Sequence, residues 1–155
     1  MFHDKDTEYY KHENRTIYRY FGGVLHCEDG PAIIRQSGVE EWFYEGKRHR
    51  VTGPAIISKD RCEWYYQNKL HREDGPAIEL ANGDRFWYYQ NNLHREDGPA
   101  IELANGDRYW YIDDELHRAD GPAYEKHSIG ILEWYIRGKR LTDDEANFLR
   151  FCSNK

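Results

Sequence analysis

Along the middle of the chain, apolar and polar residues alternate in short runs that Asn, Gly and Pro interrupt at a fixed interval. In residues 76–89, PAIELANGDRFWYY, two strand-prone runs flank Asn82-Gly83. That dipeptide accommodates two positive φ angles and predicts a two-residue hairpin turn. The resulting register sets Leu80 opposite Arg85, Ile78 opposite Trp87 and Pro76 opposite Tyr89 on the side expected to be buried, with Ala77, Glu79, Phe86 and Tyr88 on the other. The segment Gln67-Asn68-Lys69-Leu70 and its counterparts Glu45-Gly46-Lys47-Arg48 and Arg137-Gly138-Lys139-Arg140 carry Asn or Gly at one place and predict a second tight turn. Each unit then contributes two antiparallel strands. Asp-Gly-Pro, inside the longer one, removes a ladder donor and predicts a bend there.

The pattern is a repeat. Residues 64–86 and 87–109 differ only at their sixth and last positions. Gly-Pro-Ala recurs at Gly30, Gly53, Gly75, Gly98 and Gly121, and these triplets hold all five prolines. Every tryptophan (Trp42, Trp64, Trp87, Trp110, Trp134) is a repeat position, with Arg19 standing where the first unit would carry one, and five of the eight histidines fall four residues before the Gly. Residues spent at one period are scaffold parts first, so Trp64, Trp87 and Trp110 are expected to be structural. The predicted fold is all-β: a single-layer curved antiparallel meander of repeated β-hairpins, about 23 residues each, with a short C-terminal capping helix. Residues 1–17 form an N-terminal lead-in whose apolar contributions are Tyr9, Tyr10 and Ile17, and 18–141 hold five and a half hairpin repeats. Residues 142–155 form the cap, where Thr142 and Glu145 make a capping box and Ala146, Phe148, Leu149 and Phe151 cover the last strand edge.

Composition sharpens this reading. Nine Leu, eleven Ile, three Val and six Phe are too few for a thick aliphatic core, whereas 13 Tyr and 5 Trp supply a flat aromatic one. No run is apolar enough for a membrane span, and the first residues lack the basic flank and apolar stretch of a secretory signal, so a cytoplasmic protein with no membrane role is expected. Cys27, Cys62 and Cys152 are odd in number and in no C-x-x-C spacing, which disfavours a disulfide scaffold and a thiolate zinc site.

Units of the form W-Y-x-N/G-x-L-H-R-E-D-G-P-A, closed by W-Y-x-x-G-K-R-L-T-D-D-E, resemble the DGPA-type repeat proteins of bacteriophages and large DNA viruses, which are similar to MORN repeats. The match covers roughly Tyr18 to Ala146. For MORN-like modules the resemblance implies a meander of hairpins used for protein contacts and, in some members, for lipid headgroups. This chain departs from that pattern in its Gly-Pro-Ala and in lacking glycine-dense stretches, which argues against lipid. For the viral proteins the resemblance implies an accessory factor acting on a host component, in the host cytoplasm.

A metal site needs ligands converging within about 2.2 Å of one centre. Equivalent histidines two strands apart are separated by about 9.5 Å, so one His per unit does not close a site, and no metal or other cofactor is expected. The structural expectation is that His packs on Tyr or Trp and donates to a carbonyl or carboxylate, while Asp pairs with the adjacent arginine. Four serines lie outside the repeated motifs, and no G-x-S-x-G, H-E-x-x-H or phosphate loop occurs, so the chain reads as a non-enzyme. The arginine row suggests nucleic acid, yet a net charge of −6 and an acidic neighbour for each arginine argue against it. The remaining reading is a non-catalytic repeat scaffold that binds another protein through Arg72, Arg95, Arg118, Tyr66, Tyr89, His71, His94 and His117, with a homodimer as a further partner class. The alternative is a binder or sequestering protein for a small anionic ligand, a nucleotide held between a Tyr or Trp and an Arg.

Overall fold

The computed structural model describes the backbone of residues 7–11 and 15–153 and the side chains of 15–151; the expected burial of Tyr9 and Tyr10 falls outside those side chains. The chain forms a 13-stranded antiparallel meander that runs from Thr7–Lys11 to Ile131–Glu133 without closing into a barrel. One helix, α1 (Asp143–Ser153), follows it.

Each unit makes two hairpins rather than one. In the third unit Tyr65–Tyr66 and Lys69–Leu70 pair as a separate two-stranded ribbon, while Ile78–Leu80 and Arg85–Phe86 pair within the main sheet. The strand expected to bend at Asp-Gly-Pro leaves the ladder altogether: Lys69–Leu70 ends in a ribbon, Ile78–Leu80 begins in the sheet, and residues 71–77 between them join neither. Pro contributes no N–H and its ring restricts the residue before it, so the ladder cannot pass through Gly-Pro.

The register also differs by one residue from the expected one. Ile78 lies opposite Phe86 and Glu79 opposite Arg85, because the loop is three residues long. Leu80 N–H bonds Asp84 C=O and Gly83 N–H bonds Leu80 C=O, both at 2.9 Å, and Gly83 alone in the loop takes positive φ. This is a type I turn closed by a glycine bulge. Paired positive φ angles occur instead in the ribbon turns, at Gln67 and Asn68, Gln90 and Asn91, and Asp113 and Asp114. Asn tolerates that conformation and also contributes a bond: Asn68 Oδ1 accepts Arg48 N–H and Asn91 Oδ1 accepts Leu70 N–H, each at 2.7 Å, tying every ribbon to the one before it.

The sheet loops account for the uneven period. Successive Trp positions from Arg19 to Trp134 are separated by 23, 22, 23, 23 and 24 residues. The corresponding loops are residues 36–38, 59–60, 81–83, 104–106 and 127–130, so the short step has the two-residue loop and the long step the four-residue one. Everything between loops keeps a constant length because it makes the contacts between units. Trp64 N–H bonds Ala77 C=O and Trp64 C=O accepts His71 N–H, and Trp42, Trp87 and Trp110 repeat both bonds.

The core also differs from the expected one. Ala32, Ala55, Ala77, Ala100 and Ala123 are 0% exposed, while Ile78, Leu80 and Trp87 are half-buried, so the alanine of Gly-Pro-Ala occupies the tightest place in each unit and not the open side. At the carboxyl end the capping box forms: Glu145 Oε2 accepts Thr142 N–H at 2.8 Å, and Thr142 Oγ1 accepts Glu145 N–H at 3.3 Å. Ala146 is buried, but Phe148 and Phe151 are 67% and 64% exposed, and Ile131 and Leu132 on the last strand are exposed too. The helix covers Trp134, at 6% exposure, and not the edge of the last strand.

Truncation of a repeat indole is expected to open a cavity that neighbouring units cannot refill. Trp87→Ala should lose about 3 to 5 kcal/mol in urea unfolding; a loss under about 1 kcal/mol would contradict the packing role.

Candidate functional site

The repeated H-R-E-D-G-P-A segment folds around its arginine. Cζ of Arg72, Arg95 and Arg118 lies 4.1, 4.1 and 4.0 Å from the ring centroids of Trp64, Trp87 and Trp110. Nη1 of each donates to the proline carbonyl four residues on, Pro76, Pro99 or Pro122, at 3.2 Å. Nε donates to Asp74, Asp97 or Asp120 at 2.7 to 2.8 Å, and Nη1 reaches Glu79, Glu102 or Glu125 at 2.9 to 3.1 Å. The glycine makes room for this arrangement. A Cβ built on Gly75, Gly98 or Gly121 would stand 2.9, 2.8 or 2.6 Å from the guanidinium carbon, closer than van der Waals contact allows, although none of these glycines has positive φ.

The other units separate the essential contacts from the accessory ones. In the second, Thr52 and Ile57 replace the two carboxylates, yet Arg50 still lies 4.0 Å over Trp42 and donates to Pro54 C=O at 3.1 Å. In the first, Arg19 replaces the Trp and Cys27 the Arg. Arg19 Nη1 donates to Pro31 C=O and would lie 3.4 Å from a Gly30 Cβ, so a guanidinium reaches the same place from the opposite side. In the last, where the repeat segment is missing, Arg150 of α1 lies 5.3 Å over Trp134. The indole stack and the carbonyl bond are common to the interior units. Asp74, Asp97 and Asp120, with side chains 76 to 85% exposed, add a smaller increment because water screens their pairs with the guanidinium.

Tyr66, Tyr89, His71 and His94 lie together in a continuous row of rings along the ribbons. Its order is Phe21, His26, Tyr44, His49, Tyr66, His71, Tyr89, His94, with centroid separations alternating between 4.7 Å and about 6 Å beyond His26. The histidines are anchored inward. Nδ1 of His26, His49, His71 and His117 accepts the N–H of Glu45, Gln67, Gln90 and Arg137 in the next ribbon turn, at 3.1 to 3.4 Å. Each ring therefore accepts from backbone through Nδ1 and carries its proton on Nε2, rather than donating to a carbonyl through Nδ1. His94 differs: its Nδ1 lies 2.9 Å from Asp113 Oδ1. Tyr44, Tyr66 and Tyr89 are 43%, 46% and 48% exposed, so one side of the row faces outward. The row stops at His94, because Ile112 takes the tyrosine position of the following unit, and Ile136 takes the one that would follow His117.

Sequence reasoning singled out Tyr66 and Tyr89 but not Tyr44, which shares their phase two residues after Trp42. It also passed over Glu28, Glu73 and Glu96, whose exposed carboxylates lie 3.7 to 3.9 Å from Nε2 of His26, His71 and His94. Arg72, Arg95 and Arg118 are instead enclosed, with side chains 21 to 23% exposed. Among the described residues, no group of three His, Cys, Asp or Glu is placed to hold a metal ion. Burial, followed by the Glu79 charge, pushes the Cys62 thiol up and keeps it protonated at neutral pH. A separate apolar cleft of about 590 Å³ lies between α1 and the last ribbon, lined by Ile136, Leu141, Phe148 and Leu149 among others. No protein-family model and no curated protein matches the chain. Among the described residues no helix is long and apolar enough to cross a membrane.

The arginine clamp makes stability acid-sensitive. The hydrogen bond from Arg72, then its charge, hold Asp74 below the ordinary 3.8, and Arg95 does the same for Asp97. A folded-state pKa below the unfolded one contributes stability above 3.8 that disappears as pH falls through the folded value. Wild type should thus lose stability below about pH 4. The Asp74→Asn, Asp97→Asn variant should be less stable at pH 7 and decline less steeply from about pH 4 to pH 2 in denaturant titrations; equal slopes would refute the assignment.

Proposed function

We propose that this protein is a non-catalytic repeat scaffold that binds another protein through the tyrosine and histidine row of its ribbons. The observation that carries the reading is the half-exposure of Tyr44, Tyr66 and Tyr89 in a fold that spends its repeated tryptophans, alanines and clamp arginines on contacts within the chain. Tyrosine presents a large, rigid surface at low entropic cost and is enriched where proteins meet. Histidines locked by backbone N–H groups keep the row preordered, so docking loses little further freedom. Resemblance of the repeats to DGPA-type viral proteins supports an accessory factor acting on a host component in the host cytoplasm. A nucleotide-binding role would need guanidinium groups turned toward a phosphate; Arg72, Arg95 and Arg118 are instead turned onto indoles and carbonyls. The apolar C-terminal end, with Leu132, Phe148 and Phe151 exposed, favours a second copy as the alternative partner.

The test is capture from native lysate by a tagged copy mixed with an untagged one, beside a Tyr66→Ala, Tyr89→Ala variant whose melting temperature matches wild type. The expected result is a stoichiometric protein partner whose recovery falls about tenfold or more in the variant. Recovery of untagged chain alone would replace this reading with self-association. Equal recovery in both samples, or no partner, would remove the tyrosine row from the account.

A further inference from the structure

We propose that the row Tyr44, Tyr66, Tyr89 is a docking track for an extended, basic, proline-rich segment in the polyproline II conformation, an inference that rests on the protein-binding function proposed above. The period of the row carries the argument. One unit adds two strands to the main sheet and one ribbon to the row, so equivalent rings recur about every 9.5 Å, within the limit set by the successive ring separations of 6.1 and 4.7 Å, then 6.0 and 4.7 Å. A polyproline II helix rises about 3.1 Å per residue with three residues per turn, so it returns to the same face about every 9.3 Å. The mismatch across the three tyrosines stays well under 1 Å. An extended strand presents one face about every 6.7 or 13.4 Å, and an α-helix repeats its face after seven residues, about 10.5 Å. Both drift out of phase by 2 Å or more over the same distance.

The chemistry of the row agrees with its period. Proline-rich helices dock against aromatic side chains, and their preformed backbone has little entropy left to lose. Between successive tyrosines the structure sets His49 and His71, each 4.7 Å from the following tyrosine and about 6 Å from the preceding one. The outward rings thus alternate with recessed ones, a relief that suits a ligand contacting once per turn.

Charge chooses the ligand's third residue. Glu28, Glu73 and Glu96 flank the row with side chains 74, 79 and 87% exposed, and their nearest ionic groups are histidine nitrogens at 3.7 to 3.9 Å. Asp74 and Asp97, by contrast, are neutralised by Arg72 and Arg95. At the ribbon tips Glu45 and Asp113 add negative charge, against Lys47 and Lys69. The balance along the row is acidic, so Arg or Lys is favoured at the position facing the carboxylates, where it also lies beside the tyrosine faces.

Titration calorimetry with three synthetic peptides tests this on the full chain: three triplets of Pro-Pro-Arg, of Pro-Pro-Glu and of Gly-Gly-Arg. Pro-Pro-Arg should bind at least about tenfold tighter than either of the others. The Tyr66→Ala, Tyr89→Ala variant should lose about tenfold or more of that affinity. Glu73→Lys with Glu96→Lys, at exposed positions that leave the fold intact, should lose a comparable amount. Equal binding of Pro-Pro-Arg and Gly-Gly-Arg would reduce the effect to charge and overturn the proposal. So would binding by Pro-Pro-Glu, indifference to either variant, or no binding by any peptide. If the peptides fail while lysate capture still depends on Tyr66 and Tyr89, the polyproline inference alone falls; if both fail, the protein-binding reading falls with it.

Discussion

A planar cation held between an indole and a glycine backbone is the contact on which the rest of this fold depends. The guanidinium covers the ring about 4 Å away, leaves room for no Cβ at the glycine, and donates to the proline carbonyl, which belongs to a stretch of chain outside the ladder. Each letter of the H-R-E-D-G-P-A segment has a physical reason in this arrangement. Asp balances the cation, Glu faces the histidine of its own segment, Gly admits the cation, Pro takes the chain out of the ladder while its carbonyl accepts, and Ala fits beneath with no exposed surface. His then accepts the turn N–H of the next ribbon, which passes the geometry on to the following unit.

Such a stack has no thick core, and its ends show what an incomplete unit requires. The first unit supplies its guanidinium from the Trp position, through Arg19. The last supplies it from a helix, through Arg150, which explains why α1 begins where the histidine segment would otherwise start. Neither end is a copy of the interior, yet among the described residues each keeps a guanidinium, against the Gly30-Pro31 backbone in the first and over the Trp134 ring in the last. The accessory carboxylates are absent from the second unit without loss of the stack, so the cation, ring and carbonyl form the minimal set.

Repeat identity made the meander and the turn positions legible from residues alone, because each rests on local chemistry that recurs from unit to unit, and the Thr142–Glu145 capping box was legible from its own spacing. The register was not legible. Asn82-Gly83 fits both a two-residue turn and a three-residue loop with Gly83 in the bulge, and only the pairing of Ile78 with Phe86 distinguishes them. Nor was the burial of Ala77 legible, since Ala77 lies outside the ladder and is held by the bond from Trp64 N–H to its carbonyl. The arginines were expected at a binding surface because their spacing is periodic, but periodicity also marks scaffold, and the cost of a Cβ at Gly75 appears only in three dimensions. Tyr66 and Tyr89 were legible as surface candidates, while the carboxylates of Glu73 and Glu96 that lie beside them were not.

The central claim, that glycine is present to admit the guanidinium, is tested most directly by a double-mutant cycle between Gly98→Ala and Arg95→Ala in urea unfolding. With Arg95 present, the added methyl displaces a cation whose ring contact is worth about 0.5 to 2 kcal/mol, so Gly98→Ala should destabilise by roughly 1 kcal/mol or more. With Arg95 removed, the three atoms nearest the methyl are gone and the methyl restricts the unfolded chain, so Gly98→Ala should be neutral or stabilising by about 0.4 to 1 kcal/mol. An equal penalty in both backgrounds would show that the backbone itself requires glycine, and the account of the repeat would be wrong.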